Sequence, residues 1–241
     1  MIVNPLNAGW EIMYHRAHAQ LAAQIADHWR HTARPPRMTE TVIAIACHDD
    51  LEREWEGNHL SEQGLPLDFT LNTGGDTKPL QALIYNTQYR GRWITLLTSM
   101  HLSFLLAPHR TDAKAMGAFL DEQAALQKQL RKELKVDAKE VEYAYALMQW
   151  CDRLSLILCS QELPTHERAL EISLGPDGVR YDVRQRDNND VTVEPWPFEV
   201  DAFTLTIEAY HLTQPTFRDN DALAAALRDT APTLLSWELR R

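Results

Sequence analysis

The sequence is short of positive charge. Its 241 residues carry 24 lysines and arginines against 34 aspartates and glutamates, a net charge of −10. Such a chain repels the phosphate backbone of DNA and RNA and the surface of an anionic membrane, so neither is expected as a partner. No run of about 18 apolar residues exists, and this excludes a membrane-spanning helix. Cysteine is scarce. Cys47, Cys151 and Cys159 are odd in number, lack CxxC spacing and fall in apolar helical patterns. That usage predicts reduced thiols and a cytoplasmic protein. The opening MIVNPLNAGW has neither the charged start nor the apolar segment of a secretion signal. No internal repeat or low-complexity tract is present, and no feature sets an oligomeric state. Apolar residues are plentiful: 44% of the chain is hydrophobic, which suffices for a sizeable core in a single domain over residues 1–241.

Periodicity divides that domain. Met1–Val3 and Trp10–Met13 read as short strands around the turn NPLNAG. A helix over 15–32 has Ala17, Leu21, Ile25 and Trp29 on one face, and RPPR at 34–37 ends it. A second helix begins near Thr39 and runs through Val42, Ile45 and Asp49. Residues 57–80 are broken by glycine and proline and predict a long loop bordering a site. Helices follow over 80–89, 93–107, 112–135 and 138–160. After Pro164 the period changes to two. ALEISLG, VRYDVRQR, VTVEPWPFE and DAFTLTIEAY predict three or four antiparallel strands, and DALAAALRD a last short helix. The expectation is a mainly α protein: a helical core over 15–160, with strands and short helices appended over 166–241 as a small C-terminal antiparallel β-sheet.

The chemistry lies in polar residues on apolar helix faces. The run Ile43-Ala44-Ile45-Ala46-Cys47 leads straight into His48-Asp49-Asp50. On the helix 138–160, Asp152 shares a stripe with Tyr145, Met148, Leu156 and Cys159. A buried carboxylate needs a cation, an arginine or a metal. His15 and His18 share a face of the first helix, His18 one turn before Leu21. Three helices thus present His18, His48-Asp49 and Asp152. Two imidazoles and two carboxylates suit a divalent manganese, iron, cobalt, nickel or zinc ion. The plainer alternative is that each inward histidine is a hydrogen-bonded core residue and that Asp152 pairs with Arg153 or another arginine.

A histidine, thirty residues, a His-Asp pair on one helix and a distant aspartate on a later helix: this order resembles the HD-domain superfamily of metal-dependent phosphohydrolases. The whole chain, including HDDLEREWEG, TSMHLSFL, WCDRLSLILC and PWPFE, is also similar to a bacterial family known only as a domain of unknown function. The first resemblance implies an HD-like helical bundle and a metal held by His18, His48, Asp49 and Asp152. It also implies a small phosphorylated ligand, a nucleotide or phosphoester, as substrate. Glu52, one turn past the pair, is where similar enzymes use an acid for proton transfer; otherwise it is a solvated charge beside Arg53. His101 follows the apolar face of its helix and is open to two readings, a ligand of a second metal or a core or supporting residue. Arg53, Lys78, Arg90 and Arg92 are candidate phosphate contacts, since guanidinium forks match phosphate oxygens. Trp55, Trp93 and Trp150 line a pocket or pack the core. The same scaffold also serves a non-catalytic metal- or nucleotide-binding sensory protein, so both classes stay open.

Overall fold

The structure is a computed structural model that describes residues 1–50, 58–71 and 77–241. The chain opens with a hairpin of β1 (Ile2–Pro5) and β2 (Trp10–Met13), paired from Ile2↔Met13 to Pro5↔Trp10. Its turn requires Gly9: φ is +88°, and a Cβ there would lie 1.8 Å from the carbonyl oxygen of Leu212. Among the described residues six α-helices follow: α1 (His15–Asp27), α2 (Met38–Cys47), α3 (Thr77–Gln88), α4 (Arg92–Leu106), α5 (Lys114–Leu134) and α6 (Ala138–Cys159). Four strands come next, β3 (Leu170–Leu174), β4 (Arg180–Gln185), β5 (Val191–Glu194) and β6 (Ala202–Leu212), then α7 (Asn220–Asp229) and β7 (Thr233–Arg240).

The strands form one seven-stranded sheet in the order β1-β2-β6-β7-β5-β4-β3. This overturns the expected mainly α bundle with a small C-terminal antiparallel sheet. The protein is 49% helix and 20% strand, which makes it a mixed α/β fold. Two features account for the difference. The hairpin at the start of the chain zips onto β6, Trp10 opposite Leu212. And β7, which the sequence reading did not include, lies antiparallel to β6 and parallel to β5, Val191 opposite Leu239. It joins two antiparallel pieces into one mixed sheet. Between residues 40 and 160 the described residues contain no strand.

Helix α6 is the centre of the molecule. Asp137 caps it, accepting a hydrogen bond from the Glu140 amide at 2.8 Å. Leu147, Met148, Trp150, Cys151, Leu154, Ile157 and Leu158 are buried around almost its whole circumference, as expected of a helix enclosed on all sides. One core joins it to α1, α2 and α4 and to the strands β3 to β7. Trp93 and Trp150 belong to that core; Trp93 Nε1 donates to Thr41 Oγ1 at 3.0 Å and pins α4 to α2. A smaller cluster, with Leu60, Ile12, Leu223 and Leu227, packs α7 under the opposite face of the sheet near β2. Helices α3, α4 and α5 meet through Leu83, Leu102 and Phe119. All three cysteines are free. Among the described residues no helix is long and apolar enough to cross a membrane.

The two faces of β7 separate cleanly: Leu239 is fully buried and Leu234 is 64% exposed. Leu239→Ala should therefore lower stability by about 2–5 kcal/mol, while Leu234→Ala should change it by no more than about 0.5 kcal/mol. Urea unfolding of the two variants checks this; equal losses would contradict the placement of β7 between β5 and β6.

Candidate metal centre

Three helices bring four polar side chains to one point. The first turns of α1 supply His18 at the head of the buried row Leu21, Ala22 and Ile25. The chain leaving α2 supplies His48 and Asp49 directly after buried Ala44 and Ile45. Helix α6 supplies Asp152, one turn past Met148. Nε2 of His18 is 3.1 Å from Asp49 Oδ2 and 3.2 Å from Asp152 Oδ1. Nε2 of His48 is 3.2 Å from Asp49 Oδ2 and 3.1 Å from Asp152 Oδ1. One donor atom from each of the four residues lies within 4.8 Å of the other three. The histidine side chains are fully buried, while those of Asp49 and Asp152 are 17% and 14% exposed. The carboxylates therefore form the solvent side of the group and the imidazoles its floor.

Each imidazole is aimed by its own helix. His18 Nδ1 bonds the His15 carbonyl oxygen, and His48 Nδ1 bonds that of Ile45 at 2.6 Å, three residues back in both cases. With Nδ1 donating, the Nε2 lone pair of a neutral ring points at the carboxylates, as the outer hydrogen bond does in metal-binding histidines. Two lone-pair nitrogens facing two anionic oxygens at 3.1–3.2 Å repel unless a positive charge sits among them. A divalent ion bonded at about 2.1 Å places neighbouring donors about 3 Å apart, and the donor types are those of a borderline divalent metal. The four residues fit such an ion.

Protons are the other source of positive charge. Burial alone would lower the pKa of His18, but its hydrogen bonds to Asp152 and Asp49 outweigh burial and raise it to about 9. Burial opposes His48 too, and the charges of Asp49 and Asp152 push it well above the ordinary value. The two carboxylates are held low: burial raises them, and the His48 charge with the histidine hydrogen bonds lowers them further. Arg153, the sequence neighbour of Asp152, pairs instead with Glu162 at 3.1 Å.

The remaining sequence candidates are distributed as follows. His101, on α4, is 2% exposed and stands outside the four-donor group. Its ring meets that of His48 edge-on, centroids 4.8 Å apart, and its Nδ1 has no hydrogen-bond partner among the described residues. Burial, reinforced by His48, lowers its pKa to about 4 and keeps it neutral. Arg90 Nη1 bonds Asp50 Oδ2 at 2.6 Å, one residue from Asp49. Arg92 is two-thirds exposed and pairs with Glu133 at 2.7 Å. It lies nine residues before His101 on α4, about 13 Å along the axis, and so does not join the cluster. Lys78 is on the exposed start of α3. Glu52, Arg53 and Trp55 lie outside the described residues. Of the expected loop, Phe69 reaches the centre's edge, its ring 4.1 Å from that of His15, whereas Leu60 packs into the α7 cluster.

Sequence reasoning missed two groups here. Arg16 sends Nη2 to the Asp50 carbonyl oxygen at 3.2 Å, so two arginines converge beside Asp49. Its position between His15 and His18 was the only available signal. Tyr145 is core, as read; what the sequence did not reveal is that its buried hydroxyl has no partner among the described residues.

Fold and site together define a mixed α/β protein with a His₂Asp₂ centre set between three helices. The chain belongs to the family DUF3891, described as a protein of unknown function, which matches residues 1–214. That span runs from β1 to the end of β6 and contains all four donors. No curated protein and no solved structure matches the chain.

The shifted groups predict a pH profile for the metal-free protein. Raised histidines stabilise fully below about pH 6.5 and lose that contribution as pH rises through their folded values, about 9 for His18. Lowered aspartates stabilise above about pH 4 and lose it as pH falls through their depressed values. Chelator-treated protein should therefore melt highest between about pH 4 and 6.5 and at falling temperature toward pH 9. Added manganese should offset the alkaline loss, because a metal requires neutral imidazole. A metal-free melting temperature that is flat from pH 6 to 9.5 would contradict the pairing.

Proposed function

We propose that this protein is a metal-dependent phosphohydrolase acting on a nucleotide or small phosphoester. Its single divalent ion is held by His18, His48, Asp49 and Asp152. The observation that carries the proposal is the pair of Nδ1-anchored imidazoles whose Nε2 atoms share two solvent-reaching carboxylates. The order of the four residues along the chain, that of HD-domain phosphohydrolases, supports it; the seven-stranded sheet is this protein's own framework. A bound divalent ion supplies the charge that acidifies a water and polarises a phosphoryl group.

The chain's own residues do the rest. Asp49 and Asp152 are open to solvent, so a ligand reaches the centre from their side. The protein's net charge of −10 opposes an anionic substrate, and Arg16 and Arg90 beside Asp50 provide local positive charge to offset it. Glu52 is assigned proton transfer on the resemblance and on its place three residues past Asp49.

Elemental analysis of protein purified without chelator should find a divalent metal. p-Nitrophenyl phosphate or a nucleoside monophosphate should be hydrolysed with added manganese or cobalt. Asp152→Asn keeps the volume but weakens the donor, so metal content and hydrolysis should fall together while the circular dichroism spectrum stays native. Full metal content in Asp152→Asn would end the ligand assignment. Tight nucleotide binding without turnover would transfer the protein to the sensory class.

A further inference from the structure

Buried polar atoms almost always find a partner, and leaving one without costs about 1–3 kcal/mol. Several side chains here break that rule. Trp29 and Trp150 do so inside the aromatic core, their rings 5.0 Å apart, where the indole bodies account for their presence. Two others adjoin the four-donor centre. Among the described residues His101, 2% exposed, has no partner for Nδ1, and Tyr145, 8% exposed, has none for its hydroxyl. Their ring centroids are 6.3 Å apart. His101 meets His48 on its other side. Tyr145 shares the inward stripe of α6 with Asp152, two turns away. Phenylalanine would fill the same core volume as Tyr145 without an orphaned hydroxyl, so packing alone does not explain that residue.

We propose that Tyr145 and His101 form an oxyanion seat beside the four-donor centre. The Tyr145 hydroxyl and a proton on His101 Nδ1 donate to oxygens of a phosphoryl group whose remaining oxygens face His18, His48, Asp49 and Asp152. Both groups are neutral donors, so they select by direction and add no charge to a site already balanced. The seat deepens the phosphohydrolase reading and rests on it. It makes the two residues substrate-touching groups drawn from α4 and α6.

The test is calorimetric titration of the full chain with inorganic phosphate, in manganese-loaded and in metal-free protein, for wild type, Tyr145→Phe and His101→Phe. Tyr145→Phe should bind phosphate at least about tenfold more weakly, since a hydrogen bond to a charged group is lost. Its metal content should equal that of wild type, and its melting temperature should hold or rise. A purely structural tyrosine would show the reverse, a lower melting temperature with unchanged phosphate affinity, and that result overturns the proposal. So does absence of phosphate binding in wild type, or equal affinity in all three proteins. His101→Phe keeps a ring against His48 and should reproduce the loss, and a variant with full affinity would remove His101 from the seat. A wild type that takes up no metal, yet binds phosphate in a Tyr145-dependent way, would sink the phosphohydrolase reading and leave the seat standing.

Discussion

Two carboxylates share two imidazoles at the point where α1, α2 and α6 meet, and the helical half of the protein is organised around that contact. Carboxylates packed against two buried imidazoles must be compensated, and among the described residues neither aspartate pairs with an arginine. The compensation comes from the centre itself, as protons on His18 and His48 or as a divalent ion in their place. Either way the three helices cannot move apart without stranding a charge. The apolar residues beside the group, Leu21, Ala44, Ile45 and Met148, are all fully buried and pack on that same junction. Charge and packing thus lock one arrangement of helices.

The sheet supplies the support behind it. Helix α6 is buried between the other helices and the strands, so Asp152 is fixed from both sides. The strands that hold α6 come from both ends of the chain, and β7 ties them together. Asp152 on α6 meets His18 and His48, while Trp150 joins aromatic contacts with Tyr181 and Phe198.

The elements were legible in the sequence where one period ran long enough to be read. The stripe of Met116, Phe119 and Leu130 on α5 and the alternation of β6 both announce themselves. The four donors were legible because each breaks the apolar row it sits in. The architecture was not. Leu235, Trp237 and Leu239 alternate in β7, but the run is short and follows a helix, and pairing partners far along the chain leave no local mark. The hairpin's attachment to β6 is of the same kind: Trp10 and Leu212 are 202 positions apart. Tyr145 is core, as read, but burial is visible in periodicity and an unmet hydroxyl is not. Arg16 points at a backbone carbonyl, a partner with no sequence signature.

The carbonyl bonds at His15 and Ile45 have a mechanical consequence. Each ring is clamped to its own helix, so its aim is a property of one rigid rod and is set before the rods come together. What assembly must then get right is only the spacing between rods. A slide of α2 against α6 by a single ångström would alter each distance between the His48 ring and Asp152, with no turn of the ring free to absorb it. For the ion proposed above, the centre would work as a caliper: an ion of a given radius would close it at one helix spacing and report, through its affinity, any mutation elsewhere that changes the gauge.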